Sequence, residues 1–140
     1  MDRSQVTKQT VFGACDGVVI ALGLIVSLTG QSHAIVHAAV GAGLAELVGM
    51  SSGCWLSDSG AGPWPAVANG GAAFAACVLP AVPYAITTGT VPLVASLLLV
   101  CAIAAVIAWL RPEKGVLAIA QTYGVLAVAA GLCYGASLLI

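Results

Sequence analysis

Charged side chains are scarce in this chain, which has only four Lys or Arg and five Asp or Glu residues among 140. About a quarter of the residues of an average soluble domain are charged, compared with 6% here. Hydrophobic residues make up 61% of the chain, and its mean hydropathy is +1.10. So few charges cannot cover a water-facing surface, which excludes a soluble globular domain. The composition predicts an integral membrane protein, with the bilayer as the solvent of most of the chain.

Basic residues and paired cysteines are also too few for several classes of function. The formal net charge is -1, which excludes a basic surface for nucleic acid and a polybasic patch for lipid. The five cysteines form no CxxC pair, so the sequence encodes neither a zinc knuckle nor a thioredoxin-like motif. HExxH, GxSxG and P-loop motifs are absent, and we expect no enzymatic activity and no resident cofactor.

Long apolar runs are what the chain contains instead. About 20 helical residues cross the hydrocarbon core of a bilayer, and five runs of this length are separated by short connections rich in Gly, Pro and Ser. The sequence therefore predicts an all-α bundle of five transmembrane helices that forms a single domain, residues 1–140. The predicted helices are residues 11–29, 34–56, 66–87, 91–110 and 115–139.

The basic residues predict the orientation of this bundle. Arg3 and Lys8 precede the first helix, and Arg111 and Lys114 lie in the fourth connection. With five spans, these two regions share one side of the membrane. The positive-inside rule predicts that this side is cytoplasmic. The N-terminus is then in the cytoplasm and the C-terminus outside.

Two acidic residues lie inside the predicted helices, Asp16 in the first and Glu46 near the middle of the second. An ionised acid at mid-span costs about 2.5–3.5 kcal/mol on insertion scales, and the predicted helices contain no Lys or Arg to pair with it. The acids are therefore either protonated and hydrogen-bonded, or they face a path that brings a cation or a proton. The alternatives without a function are an interfacial Asp16 near its helix end and a Glu46 carboxyl bonded to a serine or a carbonyl.

Sulfur-containing side chains follow Glu46 along the second helix. Met50 lies one turn beyond Glu46, and Cys54 lies one further turn along the same face. A carboxylate with thioether or thiol ligands suits a borderline transition metal better than sodium or magnesium. Met and Cys also serve as apolar filler, so the spacing alone leaves both interpretations open.

Two further pairs of residues have a spacing that suggests a role. His33 and His37 lie four residues apart near the outer end of the second helix, where they could chelate a metal or accept a proton at the exit. The alternative is two solvated histidines at the start of a helix. Pro80 and Pro83 lie inside the third helix, and each frees a backbone carbonyl and predicts a bend. A neighbouring helix or a polar cavity must satisfy the freed group.

Four motifs, taken in order, resemble the vacuolar iron transporter (VIT) family of divalent-metal transporters. "VFGACDG", residues 11–17, is similar to the Phe-Gly-x-x-Asp-Gly motif of the first helix of that family. "GLAEL", residues 43–47, and "GMSSGCWLS", residues 49–57, resemble its second helix. "LPAVPY", residues 79–84, resembles its double-proline third helix. The resemblance covers nearly the whole chain and agrees with five spans and a cytoplasmic N-terminus.

The resemblance implies a homodimer in which the first helices line a path between the subunits. Members of the family move ferrous iron, and often manganese, out of the cytoplasm by using an opposing proton gradient. A first-helix aspartate and a second-helix methionine bind the metal, with a second-helix glutamate nearby. These roles carry to Asp16, Met50 and Glu46, and we expect Glu46 to take up the counter-moving proton.

The chain departs from the family pattern in and after the second helix. The family usually places its glutamate and methionine two turns apart, whereas Met50 lies one turn from Glu46 and Cys54 takes the two-turn position. Either Met50 or Cys54 can therefore be the soft ligand, and Cys54 also stands where the family has a late glutamate. The acidic metal-collecting domain that many members carry is reduced to "SDSGAGPWPA", residues 57–66, which contains one acid.

The predicted function is transport of ferrous iron or manganese out of the cytoplasm by proton antiport. The expected partners are protons, the bilayer and a second copy of the chain, with no nucleic acid. The abundance of Ala and Gly favours a bacterial plasma (inner) membrane. Two alternatives stay open. One is a small multidrug or organic-cation exporter that uses a buried glutamate. The other is a membrane scaffold paralogue that transports nothing.

Overall fold

The computed structural model describes residues 3–57, 62–111 and 115–138. Nearly all of these residues are helical, and no β-strand occurs among them. Lys114 and the last residue of the predicted fifth helix lie outside the described residues. The helices are α1 (Arg3–Ser27), α2 (Ser32–Ser57), α3 (Pro63–Val78), α4 (Val82–Ile86), α5 (Val91–Leu110) and α6 (Val116–Ser137), with a 3₁₀ turn at Leu79–Ala81 between α3 and α4.

Five segments are long and apolar enough to cross a membrane: α1, α2, Pro63–Ile86, α5 and α6. This result confirms the all-α class and the number of spanning helices, and it fits a multi-pass membrane protein. Large apolar side chains such as Val48, Leu98 and Leu132 are exposed on the outside of the bundle. An apolar exterior of this kind suits contact with lipid rather than water.

α1 begins at Arg3, well before the start predicted at residue 11. The prediction used the first residue of the apolar run, but hydropathy marks where a helix enters the membrane and not where it begins. The hydroxyls of Thr7 and Thr10 each donate a hydrogen bond to a backbone carbonyl four residues earlier, so the polar segment continues the same helix. Asp16 consequently lies about 20 Å from the start of α1, near the middle of the helix.

The third spanning segment is a broken helix, and the break contains Pro80 and Pro83. Pro80 lies in the 3₁₀ turn and Pro83 in the first turn of α4. N–H groups in the first turn of a helix make no hydrogen bond within that helix, so a proline there costs none. Ser96 of α5 is fully buried and donates its hydroxyl to the carbonyl of Pro80. A neighbouring helix therefore satisfies a backbone carbonyl at the break, as non-helical backbone at membrane depth requires.

α3 lies between α1 and α2 over much of their length. α1 and α2 each pack along it and touch one another much less. A Cβ atom added at Gly13 of α1 would lie 2.0 Å from the carbonyl oxygen of Asn69, and one added at Gly17 would lie 2.1 Å from that of Ala73. Small residues let helix backbones approach this closely in lipid, where packing replaces the hydrophobic effect. α1 and α3 run parallel, because a contact four residues later in α1 is also four residues later in α3.

α5 and α6 pack against another side of α1. Val18 and Leu22 of α1 join Val100 and Ile107 of α5 and Leu126 of α6 in one apolar cluster. α1 therefore lies between α3 and the α5–α6 pair, and a cavity opens along each side of its first turns.

Candidate functional site

Asp16 and Glu46 lie at nearly the same depth in the bundle. Asp16 directly precedes the glycine of α1 that packs on Ala73 of α3. Glu46 directly precedes Leu47, whose carbonyl packs on Gly70 of α3. Positions 70 and 73 of α3 are about one helical turn apart, so the two acids lie within about 5 Å of the same level.

The two acids differ in burial. Asp16 is half-buried near the middle of α1, about 8 Å along the helix from Val11, where the apolar run begins. Glu46 is 8% exposed, and neither of its carboxyl oxygens has a hydrogen-bond partner in the described part of the chain. This geometry disagrees with the alternative in which a serine or a carbonyl holds the Glu46 carboxyl. It leaves two buried acceptor oxygens that a cation or a proton could satisfy.

Asn69 of α3 is a polar residue of the site that the sequence analysis did not identify. It is 3% exposed, lies against Gly13 of α1, and donates its Nδ2 hydrogen bond to the carbonyl of Met50 of α2 at 3.4 Å. Within residues 3–57, 62–111 and 115–138, its Oδ1 atom accepts no hydrogen bond. Asn69 is the only asparagine in the chain and stands inside an apolar span, a signal that could have identified it.

A cavity of about 540 Å³ opens between the first turns of α1 and the last turns of α2. It brings Met50 and Cys54 to one surface, as their spacing predicts, and adds Asn69 from α3. Met50 and Asn69 are about one turn from the level of the two acids, so the cavity approaches that level from one end of the bundle. The polar and sulfur-containing side chains of its lining are Lys8, Gln9, Met50, Cys54, Ser57 and Asn69.

The predicted metal ligands therefore fall into two layers in one chain. Met50 and Cys54 line the cavity, whereas Asp16 and Glu46 lie one turn deeper. Among the residues that the structure describes, no three His, Cys, Asp or Glu side chains are grouped closely enough to hold a metal ion. Lys8 places a positive charge on the wall of the cavity, a feature that any cation pathway must accommodate.

His33 and His37 lie at the far end of α2 from the cavity. Both side chains are exposed, and the Nδ1–H of His37 donates to the carbonyl oxygen of His33 at 2.7 Å. This bond orients the His37 ring, and Nε2 is then the ring nitrogen that can bind another group. About 20 Å of helix separates His37 from Met50, so the histidine pair is not part of the cavity.

Comparison of the chain with protein-family models, with curated proteins and with solved structures finds no significant match in any of the three.

Proposed function

We propose that the chain is a transporter that moves ferrous iron or manganese out of the cytoplasm in exchange for protons, as its resemblance to the VIT family implies. The observation that carries this proposal is the position of Asp16 and Glu46 at one depth in the middle of the bundle, just beyond a cavity lined by sulfur. An acid at this depth lowers stability unless a ligand or a proton compensates for its burial. Two acids at one level favour a site that handles cations.

The cavity offers ligand types that suit a borderline divalent cation. Met50 and Cys54 supply a thioether and a thiol, and the side-chain Oδ1 atom of Asn69 supplies a neutral oxygen ligand. Hard cations such as calcium and magnesium prefer oxygen ligands throughout. A cation that binds here has lost part of its hydration shell and lies one turn from the carboxylates that complete its neutralisation.

Lys8 limits where a cation can bind in this cavity. Its side chain is exposed and has a long flexible stem, so its ammonium can extend into water while the stem covers the cavity wall. In this arrangement the charge of Lys8 is at the mouth, and the sulfur atoms and Asn69 lie deeper. The cation binds at the deeper level.

Proton exchange follows from competition for the same oxygens. A carboxyl group must release its proton before it binds a metal, so metal binding and proton binding oppose one another. The Glu46 oxygens are buried, at nearly the same level of the bundle as Asp16. In our proposal Glu46 holds a proton when the cation has left and releases it when the next cation arrives.

The proposed assembly is a homodimer in a bacterial plasma membrane, with the N-terminus in the cytoplasm. A two-fold axis beside α1 brings a second Asp16 to the path, so each ligand is supplied twice. The break at Pro80 and Pro83 gives the third spanning segment a hinge for gating, and His33 and His37 lie at the end where the cation would leave.

Metal flux into proteoliposomes tests the proposal. Liposomes that contain a metal-quenched dye receive Fe²⁺ or Mn²⁺ outside and a pH step across the bilayer. We expect flux that requires the pH gradient and that falls about tenfold or more in Asp16→Asn and Glu46→Gln, because each change removes a charged ligand. Asn69→Ala should raise the metal concentration for half-maximal flux and keep the pH dependence.

Ser52→Ala is the matched control, because Ser52 is exposed on α2 and its hydroxyl donates to a carbonyl of its own helix, that of Gly49. Undiminished flux in Asp16→Asn would refute the role of that ligand. Transport of lipophilic cations but not of metals would support the multidrug alternative. No flux from folded wild-type protein would support the scaffold alternative.

A further inference from the structure

His33 and His37 are the only two histidines of the chain, and both lie in the first turns of α2. Residues four apart on a helix lie on one face, with their Cβ atoms about 6 Å apart. Both histidine side chains are exposed, whereas Ile35 and Ala39 of the same turns are buried against the bundle. The helical spacing places the buried pair on the opposite side of α2 from the histidines. The two imidazoles therefore share the outward face of this helix end.

The hydrogen bond of His37 fixes the tautomer of its ring. A backbone carbonyl can only accept, so the Nδ1 atom that lies 2.7 Å from the carbonyl oxygen of His33 carries the proton. In the neutral ring, Nε2 then has the lone pair that a metal ion needs. Histidines that bind metals usually donate their other ring N–H to a carbonyl or a carboxylate, which holds the ring in place. His37 makes the bond that is expected of a metal-binding histidine.

The two imidazoles restrict the class of cation that this pair can bind. Two histidines one turn apart on a helix bind Zn²⁺ in HExxH sites. Imidazole suits zinc, copper, iron and nickel, whereas manganese, magnesium and calcium prefer carboxylates, carbonyls and water. In residues 3–57, 62–111 and 115–138, no third His, Cys, Asp or Glu joins the pair, so water would complete the coordination. The positive end of the α2 dipole lies nearby and weakens the binding of a cation, which favours rapid exchange.

We propose that His33 and His37 together bind one divalent transition-metal ion, through Nε2 of His37 and a ring nitrogen of His33, and that they prefer iron and zinc to manganese. About 20 Å of α2 separates His37 from Met50, so this site is distinct from the cavity. Its use as the place where the transported ion is released rests on the transport function proposed above. The binding itself does not rest on transport, and it discriminates between the two cations proposed as cargo.

NMR of the purified, untagged full chain with isotope-labelled histidine nitrogens tests this proposal, because only His33 and His37 then give ring signals. The probe is Zn²⁺, which is diamagnetic. We expect one Zn²⁺ per chain to shift Nε2 of His37 and one ring nitrogen of His33 over the same range of metal concentration, while Nδ1 of His37 keeps its proton. Fe²⁺ should displace Zn²⁺ at a lower concentration than Mn²⁺ does.

His37→Gln should weaken the Zn²⁺ binding observed at His33 by about tenfold or more, since the loss of even an outer partner of a metal ligand costs this much. His33→Gln should weaken the binding observed at His37 in the same way. Gln31→Ala is the matched control, because Gln31 is an exposed polar residue just before α2. It should leave the binding unchanged, and so should Cys54→Ser, which alters the cavity.

Two results would show independent histidines and overturn the proposal. One is a titration in which the two rings respond over different ranges of Zn²⁺ concentration. The other is a single variant that leaves the response of the remaining ring unchanged. Paired binding of Zn²⁺ in a protein that shows no metal flux would support this site and refute the transport function. Metal flux in a protein whose histidine signals ignore Zn²⁺ would do the reverse.

Discussion

At the scale of single residues, the buried carboxyl of Glu46 lowers stability because, among the described residues, it lacks the hydrogen bonds that other buried polar groups make. Most buried polar groups in proteins are hydrogen-bonded, and Ser96 follows this rule through its bond to the Pro80 carbonyl. Glu46 is also buried, yet its two oxygens accept no hydrogen bond from any residue that the structure describes. A side chain kept for packing would not carry this cost, so we attribute it to ligand binding.

We predict that Glu46→Leu stabilises the folded protein and abolishes proton-coupled transport. Leu has a similar volume and removes a buried acceptor without a partner, which should raise the free energy of unfolding by about 1–3 kcal/mol. Thermal unfolding in detergent measures this effect. Ser96→Ala is the comparison, because it removes a buried group that has a partner, and it should lower stability. If Glu46→Leu is also destabilising, the carboxyl has a structural partner and the argument fails.

The sequence identified some residues of the candidate site and not others, for a physical reason. Asp16 and Glu46 stand out because a charge in an apolar span is costly wherever it packs. They can therefore be recognised from the sequence before the fold is known. Asn69 is also a polar residue in an apolar span, but only the packing of α1 and α2 against α3 brings it to the cavity. Its position between these helices could not be predicted before the packing of α3 was known.

At the scale of helices, the contact between α1 and α3 depends on the absence of a side chain at Gly17. We predict that Gly17→Ala destabilises the protein by about 1–3 kcal/mol, the usual cost of overpacking, because its Cβ would lie 2.1 Å from the backbone carbonyl of Ala73. Gly124→Ala is the control. It lies in the interior of α6 with nothing within 4 Å of its added Cβ, so it should be neutral or slightly stabilising.

Thermal unfolding of both variants measures the difference. A Gly17→Ala protein as stable as Gly124→Ala would show that α1 and α3 do not approach closely. Metal flux should fall in Gly17→Ala as well, because pushing α1 away from α3 displaces the adjacent Asp16.

The number of spanning helices could be predicted from hydropathy, but their arrangement could not. Hydropathy does not predict that α3 separates much of α1 from α2, the helices that carry Asp16 and Glu46. Which helices meet is decided by where small residues allow close approach, and the chain has many such positions. The start of α1 was also missed, because the residues before Val11 are helical without being apolar.

At the scale of the whole molecule, the proposed homodimer would complete the proposed site. One chain supplies its acids at one level and its sulfur ligands one turn away, with Asp16 half-buried on α1. A two-fold axis beside α1 would double each ligand and place both copies of Asp16 on one path, because the same surface of each subunit meets at the axis of such a homodimer. Each chain is then inactive without a functional partner.

Mixing wild-type and Asp16→Ala chains tests this dependence. If both subunits must supply Asp16, chains mixed in equal amounts and allowed to reassociate should carry about one quarter of the wild-type flux, because only that fraction of random dimers has two intact copies. Independent chains would carry about one half. A mixture of wild type with Gly124→Ala, in which every chain is active, controls for reassociation and should keep full flux. A value of one half in the first mixture would place the whole pathway within a single chain, and the cation would then have to pass between α1 and α2 along Met50 and Asn69.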